Sequence, residues 1–285
     1  KNSLMKPKTV EDWLKFASKK LTKAEIPSAN LDAELILAKV LRVERTFLHA
    51  HPNKKLNQAQ IFHANNWLNR RVKRIPLAYI FGKKEFYGRN FAVNPKVLVP
   101  RPETETLIEM YKKFARDEKT ILEIGTGSGI IAITAKLEAP NMEVFASDIS
   151  FEALKIARKN AKKLSAKITF LKSDLLSDIP TEILEKTDVI LANLPYVNRE
   201  WIDFETKNEL HHEPQIALYS NDGGLELIKK LIQQTEKCPR IKFLILEADP
   251  TQFDEIEKNA NNHNFARIES LDHIIVFKKN TRLGR

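Results

Sequence analysis

One cysteine, Cys238, stands among 285 residues, so no internal disulfide can form and a cysteine-only metal site is excluded. Apolar runs of the length needed to cross a bilayer are missing. The basic start, KNSLMKPKTVEDWLKF, is not followed by the apolar stretch of a secretory signal. Internal repeats and low-complexity tracts are absent, and no glycine precedes Gly82. Histidine is sparse: His211 and His212, in LHHEP, come nearest to a metal motif. Adjacent positions on a regular strand cannot both face one ion, and no second ligand cluster accompanies them, so no metal site is expected. A cytoplasmic protein is the simplest reading.

What is present suffices for a sizeable core: 42% of residues are hydrophobic and 29% charged, over a length that suits two domains better than one. The net charge of +10 is uneven. Residues 1–100 hold 20 Lys/Arg against 7 Asp/Glu, and the remainder 27 against 30. The basic excess of the first part fits either an acidic partner or a lysine-rich solvated surface.

Residues 9–75 read as helices. In TVEDWLKFASKKL, Val10, Trp13, Leu14, Ala17 and Leu21 share a face. Thr9 is placed to cap this helix with Asp12. NLDAELILAKVL follows, with Asn30 as its cap and Leu31, Leu35, Ile36, Val40 and Leu41 on one side. NQAQIFHANNWLNRRVKR gives a third helix. Such a glycine-free segment suits a small bundle. AYIFGKKEFYGRNFAVN, with Gly82, Gly88 and alternating aromatics, reads as a hairpin joining two domains. Pro102 then opens a helix with Glu103 and Glu105 in its first turn. The expected organisation is a helical domain over 1–78, a hairpin linker over 79–100 and an α/β domain over 101–285.

Beyond residue 104, strand and helix patterns alternate. TILEIG, EVFASD, KITFLKSD, DVILAN and IKFLILEAD read as strands, and FARIESL with HIIVFKK as a final antiparallel pair. The fold class is α/β, a seven-stranded, mostly parallel sheet with helices on both faces. Trp13, Trp67 and Trp201 are read as packing residues, with Trp201, near the active loop, also placed to help cover the acceptor, His49 and His51 as surface residues, and Cys238 as an exposed loop residue.

EIGTGSGI ends the first of these strands. A nicotinamide or flavin fingerprint needs glycine where Ile130 stands, and no Walker Gly-Lys-Ser/Thr is present. The remaining G-x-G-x-G resembles the first motif of Rossmann-like methyltransferases that bind S-adenosylmethionine. That resemblance makes Gly125, Thr126, Gly127, Ser128 and Gly129 cofactor-binding candidates. Asp148 ends the second strand, where an acid can accept from both ribose hydroxyls. Its competing role as a helix cap is already filled by Ser150. Asp174 and Leu175 follow the third strand, placed for the adenine amino group and ring.

ILANLPYV ends the fourth strand. Asparagine and proline there can simply make a turn, but the crevice of an open parallel sheet lies at these strand ends. Asn193-Leu194-Pro195-Tyr196 resembles the N-P-P-Y motif of methyltransferases that act on amino groups conjugated to a planar system. That resemblance implies that Asn193 Oδ1 and the Leu194 carbonyl each accept one N–H, while Tyr196 packs on the acceptor plane. Base nitrogens of nucleic acids and glutamine amides both remain open as acceptors at this point.

The ordered set DAELILAKVL, PLAYIFGKKEFYGRNFAVNPKVLVPRPETE, EIGTGSG, NLPYV, HEPQIALYSNDGGL and TRLGR resembles the bacterial glutamine methyltransferases of peptide chain release factors, the HemK/PrmC type. The resemblance implies a helical domain ahead of a Rossmann-like one, S-adenosylmethionine as cofactor, and the glutamine of the release factor's Gly-Gly-Gln loop as acceptor. It implies a release factor as partner, no membrane and no obligatory nucleic acid, with a monomer expected. Arg101-Pro102-Glu103-Thr104-Glu105 matches this type rather than the relative acting on a ribosomal protein. Two positions depart from the pattern. Leu194 replaces the first proline, and Glu123 stands where aspartate is usual; Glu123 is expected to reach the methionine amino group or a loop N–H. Nucleic-acid base methylation, and a module that binds the cofactor without turnover, are the alternatives. On the family reading, the basic first domain docks an acidic release factor.

Overall fold

The computed structural model describes residues 8–201 and 209–280; the TRLGR motif at 281–285 lies outside them. The chain forms two compact units. One holds the helices up to Phe81 together with the turn Glu209–His212, and the other runs from Gly82 without that turn.

In the first unit, α1 (Val10–Lys23) starts at the expected box. Thr9 Oγ1 accepts from Asp12 N at 3.2 Å, and Asp12 Oδ2 accepts from Thr9 N at 3.1 Å. Its buried face carries Val10, Trp13, Ala17 and Leu21, and Trp13 Nε1 donates to Asn65 Oδ1. α2 (Ala29–Leu41) differs from the reading of its sequence: Ser28, not Asn30, is the cap position, and Leu31 is 41% exposed. The buried face instead carries Asp32, Ala33, Ile36 and Leu37. A charged residue can take that place because Arg71, itself buried, meets it with Nε 2.5 Å from Asp32 Oδ2. α3 (Arg45–Ala50) leads to α4 (Gln58–Val72), capped by an Asn57–Gln60 box. α5 (Leu77–Phe81) is a short helix where the aromatic alternation reads as strand. His49 and His51 are exposed, and Trp67 packs against Phe81.

The second unit begins with a hairpin, β1 (Lys83–Phe86) and β2 (Arg89–Ala92). Its two-residue turn places Tyr87 and Gly88 at positive φ, matching the twist of the strands. A 3₁₀ turn at Pro102–Thr104 leads into α6 (Glu105–Phe114). β3 (Thr120–Ile124), α7 (Ile130–Glu138), β4 (Glu143–Asp148), α8 (Phe151–Lys163), β5 (Thr169–Lys172), α9 (Thr181–Lys186) and β6 (Val189–Ala192) then alternate. α10 (Glu226–Gln234), β7 (Phe243–Glu247), α11 (Phe253–Asn262), β8 (Phe265–Leu271) and β9 (Ile274–Lys279) complete the chain.

Among the described residues these strands make one seven-stranded sheet of order β5-β4-β3-β6-β7-β9-β8. β5 to β7 are parallel, and β9 is antiparallel to both β7 and β8. The central strands β3, β6 and β7 are buried at every position, as continuous apolar runs in a sheet covered on both faces must be. The chain winds from β3 outward to β5, then crosses back to β6 on the other side of β3. That reversal opens a crevice at the carboxyl ends of β3 and β6. Cys238, read as exposed, is 2% exposed, packed in the core cluster that covers one sheet face. No helix among the described residues is long and apolar enough to cross a membrane.

Candidate active site

Register brings the motifs together. Ile124 on β3 pairs with Ser147 on β4 and with Ala192 on β6, and Ala192 pairs with Leu246 on β7. The glycine turn, Asp148, Asn193 and Glu247 therefore leave adjacent strands at one edge. A cavity of ≈ 260 Å³ opens there, wholly within the second unit. Its lining includes Glu123, Gly125, Thr126, Gly127, Ser128, Asp148, Asp174, Leu175, Asn193, Leu194 and Pro195. Two residues singled out from the sequence, Gly129 and Tyr196, do not line it. Gly129 packs instead toward α8, where an added Cβ would come within 3.2 Å of Ala157 Cβ.

Glu123 is 1% exposed and turned into its own loop: Oε2 accepts from Thr126 Oγ1 at 2.5 Å and from Ala132 N at 3.0 Å. Burial pushes its carboxyl up to about 8, against the pull of those two bonds. Asp148 Oδ2 accepts from Gly127 N, and Oδ1 from Ser150 N, both at 2.8 Å. Burial raises its carboxyl as well. Ser150 caps α8 through Ala153 N. Asn160 of α8 ties the glycine turn to the hairpin, donating to Ser128 O and Ala92 O and accepting from Ala92 N. Asp174 pairs with Lys230 Nζ at 2.7 Å, and Leu175 is buried at positive φ.

Asn193 is half-buried and donates from Nδ2 to Thr104 Oγ1 at 3.3 Å. Leu194 is 4% exposed, and its side chain lies against Gly125: a Cβ there would stand 3.1 Å from Leu194 Cδ2. Gly125 has φ +74°, so glycine answers both the backbone conformation and the close approach. The Tyr196 hydroxyl donates to Glu247 Oε1 at 3.2 Å, and burial raises both groups. Gln252 Nε2 holds the Tyr196 carbonyl at 2.9 Å. Arg101 lines the cavity and pairs at 2.5 Å with Glu213, which is buried and also accepts from Val99 N.

The motifs alone did not single out Thr104, Glu247 and Gln252. Thr104 sits inside RPETE, and Glu247 is an acid at the carboxyl end of a buried strand, the same signal that marks Asp148. Trp201, read as packing, is 49% exposed. Among the described residues no group of three or more His, Cys, Asp or Glu is arranged to hold a metal ion.

Residues 12–82 match the PrmC N-terminal domain family, and residues 102–266 match the methyltransferase small domain family. A release factor glutamine methyltransferase of Koribacter versatilis is 41% identical over 79% of this chain and 81% of its own length. The chain belongs to the release factor glutamine methyltransferase family. Another member, from Neisseria gonorrhoeae, is 35% identical over 92% of this chain and 93% of its own. A methyltransferase from Pyrococcus furiosus shares the fold, with a TM-score of 0.52 at 21% identity over 75% of this chain and 99% of its own. The two positions that depart from the expected motif keep sound local geometry in this structure. Leucine at 194 fills the space beside Gly125, and glutamate at 123 spends its extra reach on Thr126 and the start of α7.

Proposed function

We propose that this chain transfers a methyl group from S-adenosylmethionine to the side-chain amide nitrogen of the glutamine in the Gly-Gly-Gln loop of peptide chain release factors. One observation carries the reading: the glycine turn and Asn193 leave neighbouring central strands and line the same cavity.

The residues present fit the cofactor. A Cβ on Gly127 would meet nothing within 4 Å, so the turn leaves its backbone open to a ligand. Besides Glu123, which is turned into its own loop, two acids, Asp148 and Asp174, line the cavity, and Arg101 is spoken for by Glu213. Acceptors of this kind suit ribose hydroxyls, an adenine amino group and a cationic sulfonium better than they suit phosphates. Asp148 already takes two backbone N–H groups, but a carboxylate has lone pairs for about four bonds and can accept from the ribose as well. Asp174, whose Oδ2 pairs with Lys230, would offer its other oxygen to the adenine amino group, and Leu175 would pack on the ring. Glu123, through Thr126, keeps the turn Gly125 to Gly129 and Ser128 in shape.

The bound cofactor supplies an electrophilic methyl group on a good leaving group. The protein's task is alignment. An amide nitrogen is a poor nucleophile because its lone pair is delocalised. Asn193 Oδ1 and the Leu194 carbonyl would each accept one N–H of the glutamine amide, which would fix the amide plane and aim its lone pair toward the cofactor end of the cavity. Pro195 stiffens the loop, and Tyr196 braces it through Glu247 and Gln252. The N–C bond would form as the S–C bond breaks. The N-methylated amide, acidic while it carries the extra hydrogen, would lose that proton to solvent, so no strong base is required. The reading needs neither nucleic acid nor a second copy of the chain, and it makes the protein cytoplasmic.

The test is transfer of labelled methyl to purified release factor, to a copy with the Gly-Gly-Gln glutamine replaced, and to bulk tRNA and DNA. Label on the intact factor alone supports the reading. Label on nucleic acid overturns the acceptor, and cofactor binding with no label anywhere favours a binding module.

A further inference from the structure

A primary amide presents three polar features in one plane: two N–H groups and a carbonyl oxygen. The methyl-transfer reading above gives both N–H groups a partner, Asn193 Oδ1 and the Leu194 carbonyl, and leaves the oxygen without one. Stripping that oxygen of water is costly unless the cavity wall offers a donor. Much of the wall cannot: Val99, Pro100, Leu194, Pro195, Pro214 and Ile216 line it with apolar side chains.

Arg101 can. It lines the same cavity as Asn193 and stands one 3₁₀ turn ahead of Thr104. Its carbonyl accepts from Thr104 N at 3.2 Å, and Thr104 Oγ1 lies 3.3 Å from the Asn193 amide. The guanidinium is held rather than loose. Its Nη2 donates to Glu213 Oε1 at 2.5 Å, and Glu213 Oε2 accepts from Val99 N at 2.9 Å. The Glu213 side chain is 1% exposed and that of Arg101 34%, so the anchor is buried and the fork reaches the cavity. Pro100 and Pro102 flank the arginine and stiffen the backbone that carries it. Glu213 balances the charge of Arg101 but takes only one of its N–H groups. The rest make no hydrogen bond among the described residues. Other donors in the wall are committed elsewhere: Thr126 Oγ1 donates to Glu123, and Ser173 Oγ to Leu175 O. Lys96, the cavity's other cation, is exposed.

We propose that Arg101, anchored by Glu213, is a specificity-determining residue that donates an N–H to the side-chain carbonyl oxygen of the acceptor glutamine. The site then reads all three polar features of a primary amide. This deepens the methyl-transfer reading and rests on it. The bond serves recognition, not the attack. A donor on the carbonyl oxygen draws electron density away from the amide nitrogen, so it cannot speed methyl transfer. Glu213 is a positioning residue that keeps the guanidinium aimed.

The experiment measures, by calorimetry on the full chain with S-adenosylhomocysteine bound, the affinity for two ligands. One is release factor, and the other a copy with methionine in place of the Gly-Gly-Gln glutamine, similar in length but without the amide. Arg101→Met should weaken binding of the intact factor by about 10- to 100-fold, the scale of one hydrogen bond to a charged group. Binding of the methionine copy should stay within about twofold of wild type, since no such bond is lost there. KM for release factor should rise by the same factor as the loss of affinity, with kcat at saturation and S-adenosylhomocysteine affinity kept. Because Arg101→Met leaves Glu213 buried without its partner, Arg101→Met with Glu213→Gln is measured beside it. Glutamine keeps an oxygen for Val99 N, and the same selective loss is expected. An equal loss for both ligands, or a fall in kcat with KM unchanged, would make the pair a strut of the wall and overturn the proposal. A preference for glutamine that survives intact in both variants would overturn it as well. Wild type that binds both ligands alike would overturn glutamine recognition itself, which is the failure of the underlying reading.

Discussion

A Cβ on Gly224 would stand 2.0 Å from the carbonyl oxygen of Tyr196. Gly224 has φ +91°, and its backbone lies directly behind the loop that carries Asn193. Gln252 Nε2 completes the brace, donating to both Tyr196 O and Gly223 O. The close approach leaves no room for a side chain, because the obstructing atom is backbone, not a flexible tip. Gly224→Ala should therefore displace the 193–196 loop. The expected result is a stability loss of about 1–3 kcal/mol and a larger fall in kcat than in cofactor affinity. Thermal unfolding and single-turnover methyl transfer check it; unchanged kcat would show that the loop is held by other contacts.

The α/β alternation was legible because each central strand is a short apolar run and each helix keeps its own period. Local chemistry was legible too: the Thr9–Asp12 box and the Ser150 cap need only neighbours in sequence. Hydropathy misled where a charge is buried. Asp32 faces the core of its unit because Arg71 lies 39 residues away to receive it, and Leu31 turns outward as a consequence. Cys238 reads as a loop residue by its surroundings, yet the packing of α9, α10 and β7 buries it. In the candidate site, the glycine turn is contiguous and visible as a motif. The Thr104–Asn193 and Tyr196–Glu247 contacts span 89 and 51 residues, and only the strand order β3-β6-β7 brings them together.

Leu194 separates a backbone role from a side-chain role. Its carbonyl is the proposed acceptor-binding group, while its side chain is 4% exposed in the main core cluster. Leu194→Ala keeps the carbonyl and removes the packing. Stability should fall by about 2–4 kcal/mol, with kcat close to wild type at a temperature where the variant is folded. Urea unfolding and initial-rate assays test this. A collapse of kcat in a folded variant would mean that the side chain itself shapes the acceptor pocket.

Glu123 gives the fold a pH dependence of defined sign. Its folded carboxyl titrates at about 8, far above the ordinary 4.5, because it is buried. The folded state therefore holds a proton that the unfolded chain releases. Its contribution to stability is complete below pH 4.5, declines as pH rises, and is lost above about 8. Glu123→Gln keeps an oxygen for Ala132 N and cannot titrate. The stability of wild type relative to Glu123→Gln should fall across that window and level off above it. Melting temperatures of both proteins in matched buffers are the measurement; a flat difference would mean that the carboxyl is ionised throughout.

The first unit depends on one buried cation. Arg71 is 3% exposed; its Nε meets Asp32 Oδ2 at 2.5 Å, its Nη1 donates to Ile75 O, and its Nη2 pairs with Glu209. Asp32 is equally buried, so removing the arginine leaves a carboxylate without its counter-charge in the core of the unit. Glu209, far more exposed, is solvated without it. Arg71→Ala should destabilise this unit by about 3–5 kcal/mol, the cost of breaking a buried pair from one side. Replacing both partners by apolar residues, Arg71→Met with Asp32→Leu, should recover most of the loss, because the desolvation of two charges goes with the attraction between them. Urea unfolding followed by far-UV circular dichroism, with the emission of the fully buried Trp13 as a probe of the first unit, compares the single and double variants. If the double variant is as unstable as Arg71→Ala, the Ile75 and Glu209 contacts matter more than the Asp32 pair.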